Sequence, residues 1–420
     1  MSQKQLPLQF PKKFLWGTSV SAHQVEGGTD NQWTRWELEN AKSLAKQAEY
    51  KQTWLPRWDE IQQQATNPDN YISGKAVDHF HNYEEDFRLL KKMHMNAFRF
   101  SIEWSRIEPE EGKWSPEGIT FYKEYIAALK AKEIEPIMTL FHFTLPAWFE
   151  EKGGFEKRAN NKYFVRFAEK VLSELGQHVR YVITMNEPEV YVYQGWRDGS
   201  WPPNKTSKWP ALKVYLNLVA AHKKVAKLAH GMSRRFKVGL STNAAHHYPG
   251  DDAWLTRLTA QLAQKGDDLF LRLTRRHLDW IGLNYYFANR YYGYRAHNPE
   301  DKLSDLGWAM EPDKIQDVVE RLYVNFGVPI MITENGLADE KDEHRQWWIT
   351  QTLLALHKAQ ASGVKLLGYL HWSLLDNFEW AYGKWPRFGL FAVDYKTGAR
   401  TPRKSAAWFA LVVKRLRDKK

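Results

Sequence analysis

The 420-residue chain contains no cysteine. That excludes disulfides, thiolate metal sites and a cysteine nucleophile, and it suits a reducing compartment. No apolar run approaches the roughly 20 residues of a membrane-spanning helix. The stretch Met1–Gly17, MSQKQLPLQFPKKFLWG, lacks the continuous apolar centre of a secretory leader. A cytoplasmic protein with no membrane partner is therefore expected. A Gly-rich phosphate loop is missing as well. His79 and His81 stand two apart in a helical pattern and so point away from each other. His246 and His247 have no third ligand at a recognisable spacing. No metal and no other cofactor is expected.

Acidic charge is in deficit: formal net charge is +11, with part of the excess in the tail KRLRDKK, Lys414–Lys420. Such a tail suits either nucleic acid or a solvated last helix whose cations meet the negative end of its dipole. The other basic residues are dispersed among acids, which favours the helix end, and no nucleic-acid partner is expected.

What the chain has in abundance is aromatic surface: 20 Trp, 20 Tyr and 21 Phe. Large aromatic cores account for many of these. Indole also packs well on the C–H faces of sugar rings, with polar partners beside it for the hydroxyls.

Short apolar, β-branched or aromatic runs alternate with longer helical patterns. The runs are Phe14–Ser21, Ala97–Glu103, Glu135–Phe141, Tyr181–Asn186, Lys237–Thr242, Trp280–Tyr286, Pro329–Glu334 and Lys365–Trp372. Helices are predicted over Phe80–Met93, Gly118–Lys132, Tyr163–Leu175, Trp209–His230, Thr256–Arg276, Asp313–Phe326, Asp342–Ser362 and Lys404–Leu416. Eight such units predict an α/β protein with one (β/α)8 TIM barrel spanning residues 1–420. The polar segment Gly27–Gly74, with two helical stretches, is predicted to be an extended βα loop at the C-terminal face, where barrel active sites are built.

The strand ends therefore hold the candidate chemistry. They supply Gln24, Glu26, Arg99, Glu103, His142, Asn186, Glu187, Asn243, Asn284, Tyr285, Glu334, Asn335 and Trp372. Glu187 ends the fourth strand in VITMNEP, and Glu334 ends the seventh in MITENG. Strands four and seven are expected to face one another across the mouth. Two inward carboxyls there would flank a glycosidic bond. A gap of about 5–5.5 Å would serve a retaining double displacement, and a wider one an inverting attack by water. A salt bridge is the alternative for either glutamate taken alone.

Seven stretches, in order, resemble glycoside hydrolase family 1, the β-glucosidase family. They are FLWGTSVSAHQVEGG (Phe14–Gly28), FRFSIEWSRIEPEEGKW (Phe98–Trp114), FHFTLPAWF (Phe141–Phe149), TMNEP, GLNYY (Gly282–Tyr286), ITENGL and HWSLLDNFEWAYGKWPRFGLFAVDY (His371–Tyr395). The resemblance implies a retaining, exo-acting β-glycosidase of carbohydrate metabolism that removes terminal β-D-glucosyl, or galactosyl or fucosyl, residues from a small glycoside or oligosaccharide. Glu187 would be the acid/base and Glu334 the nucleophile. Asn186 would hold the nucleophile and the sugar 2-hydroxyl. Tyr285 would hydrogen-bond Glu334, and Arg99 would place positive charge beside it. Gln24, His142, Trp372, Glu379 and Trp380 would recognise the sugar, Trp372 as its stacking floor. A negative Glu379 would repel a 6-phosphate, so unphosphorylated glycosides are expected.

Two departures stand out. Phe143 follows His142 where many members carry Trp, and the segment between strands five and six is compressed. The aglycone side is the least transferable part. A transglycosidase on the same site, or a catalytically weak sugar-binding protein on the same fold, are the rival readings. Whether the chain forms a homo-oligomer is left open.

Overall fold

The computed structural model describes residues 8–418. Residues 1–7 of the stretch read for a leader, and the last two lysines of the basic tail, lie outside the described residues. Eight parallel strands close into a barrel: β1 (Leu15–Ser19), β2 (Ala97–Ser101), β3 (Glu135–Thr139), β4 (Tyr181–Asn186), β5 (Lys237–Asn243), β6 (Trp280–Tyr285), β7 (Ile330–Asn335) and β8 (Leu366–Trp372). Each pairs with its sequence neighbours, and β8 pairs with β1. Every predicted run matches one strand to within two residues at each end. A closed ring covered on both faces needs continuous apolar strands rather than alternating ones. β2 is accordingly buried at all five positions.

The longer helices are α1 (His79–Lys92), α2 (Pro116–Ala131), α3 (Asn161–Leu175), α4 (Lys208–Met232), α5 (Trp254–Asp267), α6 (Ile315–Phe326), α7 (Arg345–Ala361) and α8 (Lys404–Asp418); α5 packs on the short strands His246–Pro249 and Ala288–Tyr292, and the short helix Leu269–Thr274 packs on α4. Local chemistry sets their ends. Ser115 accepts from the Gly118 amide at 3.0 Å, with Pro116 in the first turn of α2. α6 buries Ile315, Val318, Val319 and Leu322, one face of a helix, and stops at Gly327 in left-handed backbone. The basic end of α8 is solvated, and Arg417 donates to the His94 carbonyl.

Inside the barrel, Ala97, Ile137, Ile183, Trp280, Met331 and Leu370 form a plug below the mouth. Gly239 makes room for it, since a Cβ there would lie 2.5 Å from the Trp280 ring. At the mouth the regular pairing breaks. Register shifts fall between Ile183 and Asn186 on β4 and between Ile332 and Glu334 on β7. Such irregularities re-aim side chains, and these two sit next to the carboxylates. In the ring, β5 and β6 separate β4 from β7 on one side, so the strand directly opposite β4 is β8. The expected face-to-face placement of strands four and seven is thus corrected to an oblique one.

The predicted insertion stands at the mouth. Its long helix, Gln32–Lys51, starts from Asn31, whose side chain accepts from the Thr34 amide at 3.0 Å. A second helix follows at Trp58–Ala65. Between β5 and β6 the chain adds a strand, His246–Pro249, which pairs with Ala288–Tyr292. No helix among the described residues is long and apolar enough to cross a membrane.

Candidate active site

Glu187 is the first residue past β4 and has left-handed backbone, φ 39°. A non-glycine residue there carries about 1–2 kcal/mol of strain. The position is held on both sides: the Glu187 amide donates to the Ser241 carbonyl at 2.8 Å, and Pro188 opens a short helix, Pro188–Val192. Glu189, in that helix, ties it to β5 by accepting from Thr242 Oγ1 and the Asn243 amide. The result directs the Glu187 carboxyl into the mouth. Its neighbours there are neutral amides: Asn284 Nδ2 donates to Oε1 at 2.7 Å and Asn243 Nδ2 at 3.3 Å. Burial, then the charge of Glu334, hold its pKa well above the ordinary carboxylate range.

Glu334 has the opposite environment. Arg99 Nη1 donates to its Oε1, and the Tyr286 phenol donates to its Oε2 at 2.7 Å. Arg99 is fully buried in β2 and also reaches Asn186 Oδ1 at 2.6 Å. Asn284 donates to that same oxygen at 3.1 Å. A continuous chain of bonds therefore runs from Glu187 through Asn284, Asn186 and Arg99 to Glu334. It fixes both carboxyls relative to one another.

Beside this pair lies a cleft of about 940 Å³ lined by Gln24, His142, Asn186, Trp372, Glu379 and Trp380 together with both carboxylates. Burial and the nearby Arg99 charge keep His142 neutral. Its Nε2 accepts from the Asn186 amide at 3.2 Å, which leaves the proton on Nδ1, an atom with no protein partner. Glu379 Oε2 accepts from Asn377 at 2.9 Å and from Gln24 at 3.3 Å. Burial, with Glu334 adding to it, pushes its carboxyl up to about 8. Trp380 has φ 49° and is stacked on His23 at 5.7 Å, with Trp33 and Trp201 against it. Trp372, which a cis peptide joins to Ser373, and Trp36, Trp54 and Trp308 complete the aromatic wall. Much of the tryptophan excess thus goes to this wall and to a core that holds Trp16, Trp104, Trp280 and Trp348.

The sequence model of glycosyl hydrolase family 1 matches residues 6–267 and 264–417. The chain belongs to that family. Among its relatives is β-glucosidase A of Acetivibrio thermocellus, 31% identical over 97% of this chain and 98% of that protein. The β-glycosidase from Pyrococcus horikoshii has the same fold, with TM-score 0.84 and 35% identity over 97% of this chain and 96% of that one. A 6-phospho-β-galactosidase of Clostridium acetobutylicum is 28% identical over 95% of this chain and 96% of that protein. This family 1 protein is a glycoside hydrolase.

Its geometry corrects two expected contacts. The phenol of Tyr285 points outward and donates to the Glu311 carbonyl at 2.6 Å, and Tyr286 is the residue on Glu334. Successive side chains on a strand face opposite sides, so Asn284 and Tyr286 share the inner face and Tyr285 does not. Asn186 also departs from expectation: it meets Glu334 through Arg99 rather than directly. Sequence reasoning missed the roles of Asn284, Tyr286 and Asn377. The period-two alternation through GLNYY was the available signal for the first two. Other strand-end polar residues proved structural. Glu26 pairs with Arg106 at 2.8 Å, Glu103 accepts from Ser105 and Thr144, and Asn335 accepts from Trp348 and Tyr369. His79 is likewise engaged at both ring nitrogens, by Asp86 and Tyr125.

Proposed function

We propose that the protein is a retaining, exo-acting β-glycosidase acting on unphosphorylated β-glucosides and related β-glycosides. One observation carries this reading: two buried carboxyls at one mouth have opposite surroundings. Glu334 lies between a guanidinium and a phenol, the setting of a charged nucleophile. Glu187, among neutral amides, is held protonated, the setting of an acid.

In the first step Glu334 attacks the anomeric carbon while the Glu187 proton passes to the leaving oxygen. In the second, the ionised Glu187 takes a proton from water, and that water displaces Glu334. Asn186 serves the sugar 2-hydroxyl. His142 Nδ1, Gln24 and Glu379 grip the other hydroxyls, and Trp372 is the stacking floor.

The case against a 6-phosphate rests on cations. Lys51 is the one Lys or Arg among the described residues that line the cleft. A dianion there would face a lining that holds six acidic side chains, Glu187, Glu189, Asp198, Asp267, Glu334 and Glu379. A raised Glu379 pKa weakens the charge repulsion expected from the sequence but offers no cation in its place.

The test is product stereochemistry with a panel of nitrophenyl glycosides. Release of the β-anomer first, with the 6-phospho form rejected, supports the reading. Release of the α-anomer first overturns the retaining mechanism, and a preference for the 6-phospho form overturns the substrate class.

A further inference from the structure

Helix α5 is inside out. It buries only the small residues Thr256 and Ala260, while Trp254, Leu255, Leu258 and Leu262 face solvent. Asp268 keeps helical backbone and leads into the short helix Leu269–Thr274, where Leu269 and Leu273 continue the exposed stripe. The spacing 255, 258, 262, 269, 273 is one helical face. Alongside the Leu269–Thr274 end of this stripe, α4 exposes Trp209, Leu212 and Leu216, again one face. The two stripes are held together from beneath by Tyr215, which meets the Phe270 ring edge-on at 5.2 Å. Trp209 is 76% exposed, Trp254 71% and Leu262 56%, whereas Leu38 on the insertion helix and Leu411 on α8 are single exposed leucines on their helices. Soluble monomers seldom leave so many large apolar side chains open on neighbouring elements, and such surfaces mark contact sites.

The charges around the patch select the partner. Lys208, Lys213, Arg257, Lys265, Arg272 and Arg275 are exposed among or beside these leucines. Asp267 and Asp268 turn inward, to His247 and to Arg272 and Arg321, which leaves Asp251 and Asp252 at one end of the stripe as its exposed acids. A second copy on a two-fold axis would set this basic rim against itself. An anionic lipid surface complements it, and tryptophan and leucine between lysines and arginines is the composition of a segment that lies in a bilayer interface.

We propose that the α4–α5 face docks peripherally on an anionic lipid bilayer. The sequence gives no such sign, because an amphipathic α5 reads as an ordinary core-facing helix. Asp267, at the end of α5, lines the cleft, so the docked face borders the active-site mouth.

Vesicle flotation of the full chain tests this. Phosphatidylglycerol-containing vesicles should carry the protein, with phosphatidylcholine vesicles and high salt both reducing binding. Leu258→Glu, Leu262→Glu and Leu269→Glu together should weaken partition by about tenfold or more, with the thermal unfolding transition retained. Should that triple variant not fold, Trp209→Gln with Trp254→Gln should show the same loss. Absence of binding to anionic vesicles, or binding that these substitutions leave unchanged, overturns the proposal. So does sedimentation showing a dimer that the same substitutions dissociate while vesicle binding is absent; the face is then an interface between copies.

Discussion

The phenol of Tyr286 donates to Glu334 at 2.7 Å, and the adjacent Tyr285 points away to the Glu311 carbonyl. The two tyrosines are covalent neighbours with opposite assignments. Tyr286→Phe should therefore lower kcat by about tenfold to a thousandfold with little change in unfolding temperature. Tyr285→Phe should leave kcat near that of the parent and cost about 1–2 kcal/mol of stability. Steady-state kinetics with thermal unfolding on both variants checks this, and the reverse pattern would restore the sequence-based assignment.

Glu187 sets a pH dependence. Its carboxyl must be protonated for the first step, and burial with the Glu334 charge raises its pKa well above 4.5. Activity should fall as pH rises through that raised value, giving a basic limb in kcat/KM. Glu187→Ala should abolish the limb for substrates with good leaving groups. The same variant should slow substrates with poor leaving groups far more than those with good ones. A basic limb that persists would point to another acid.

Glu379 links the sugar pocket to stability. An unfolded glutamate titrates near 4.5, and in the fold burial pushes this one up to about 8. The folded state therefore binds the proton more tightly. Its stabilising contribution is complete below the unfolded value and is lost as pH rises through the folded one. Glu379→Gln does not titrate, so its unfolding temperature should gain on the parent between about pH 5 and pH 8 and level off above that. Affinity for the glycone should fall as well: the amide oxygen can still accept from Asn377 and Gln24, but an NH2 donor then stands where the second carboxyl oxygen would accept from a sugar hydroxyl. A constant stability difference across that range would contradict the raised pKa.

Much of this is legible in the sequence alone. The barrel strands are written as runs such as AFRFS and YVITMN, because a closed parallel sheet buries both faces of every strand. Glu187 and Glu334 stood out as charges ending apolar runs. What local pattern does not carry is the irregular part. The register shifts at the ends of β4 and β7 decide where the carboxyls point, and they depend on neighbouring strands. The oblique placement of β4 and β7 follows from ring closure, not from either strand. The inverted α5 has an ordinary amphipathic pattern, and only its packing through Thr256 and Ala260 shows which face looks out.

The central claim is that Glu334 forms a bond to the sugar while Glu187 does not. Incubation with a 2-deoxy-2-fluoro-β-glucoside bearing a good leaving group, followed by intact-mass and peptide analysis, tests it most directly. The account predicts one fluoroglucosyl unit per chain, on the peptide containing Glu334, and no labelling of Glu334→Gln. A label on the Glu187 peptide, or rapid turnover with no covalent adduct, would contradict it.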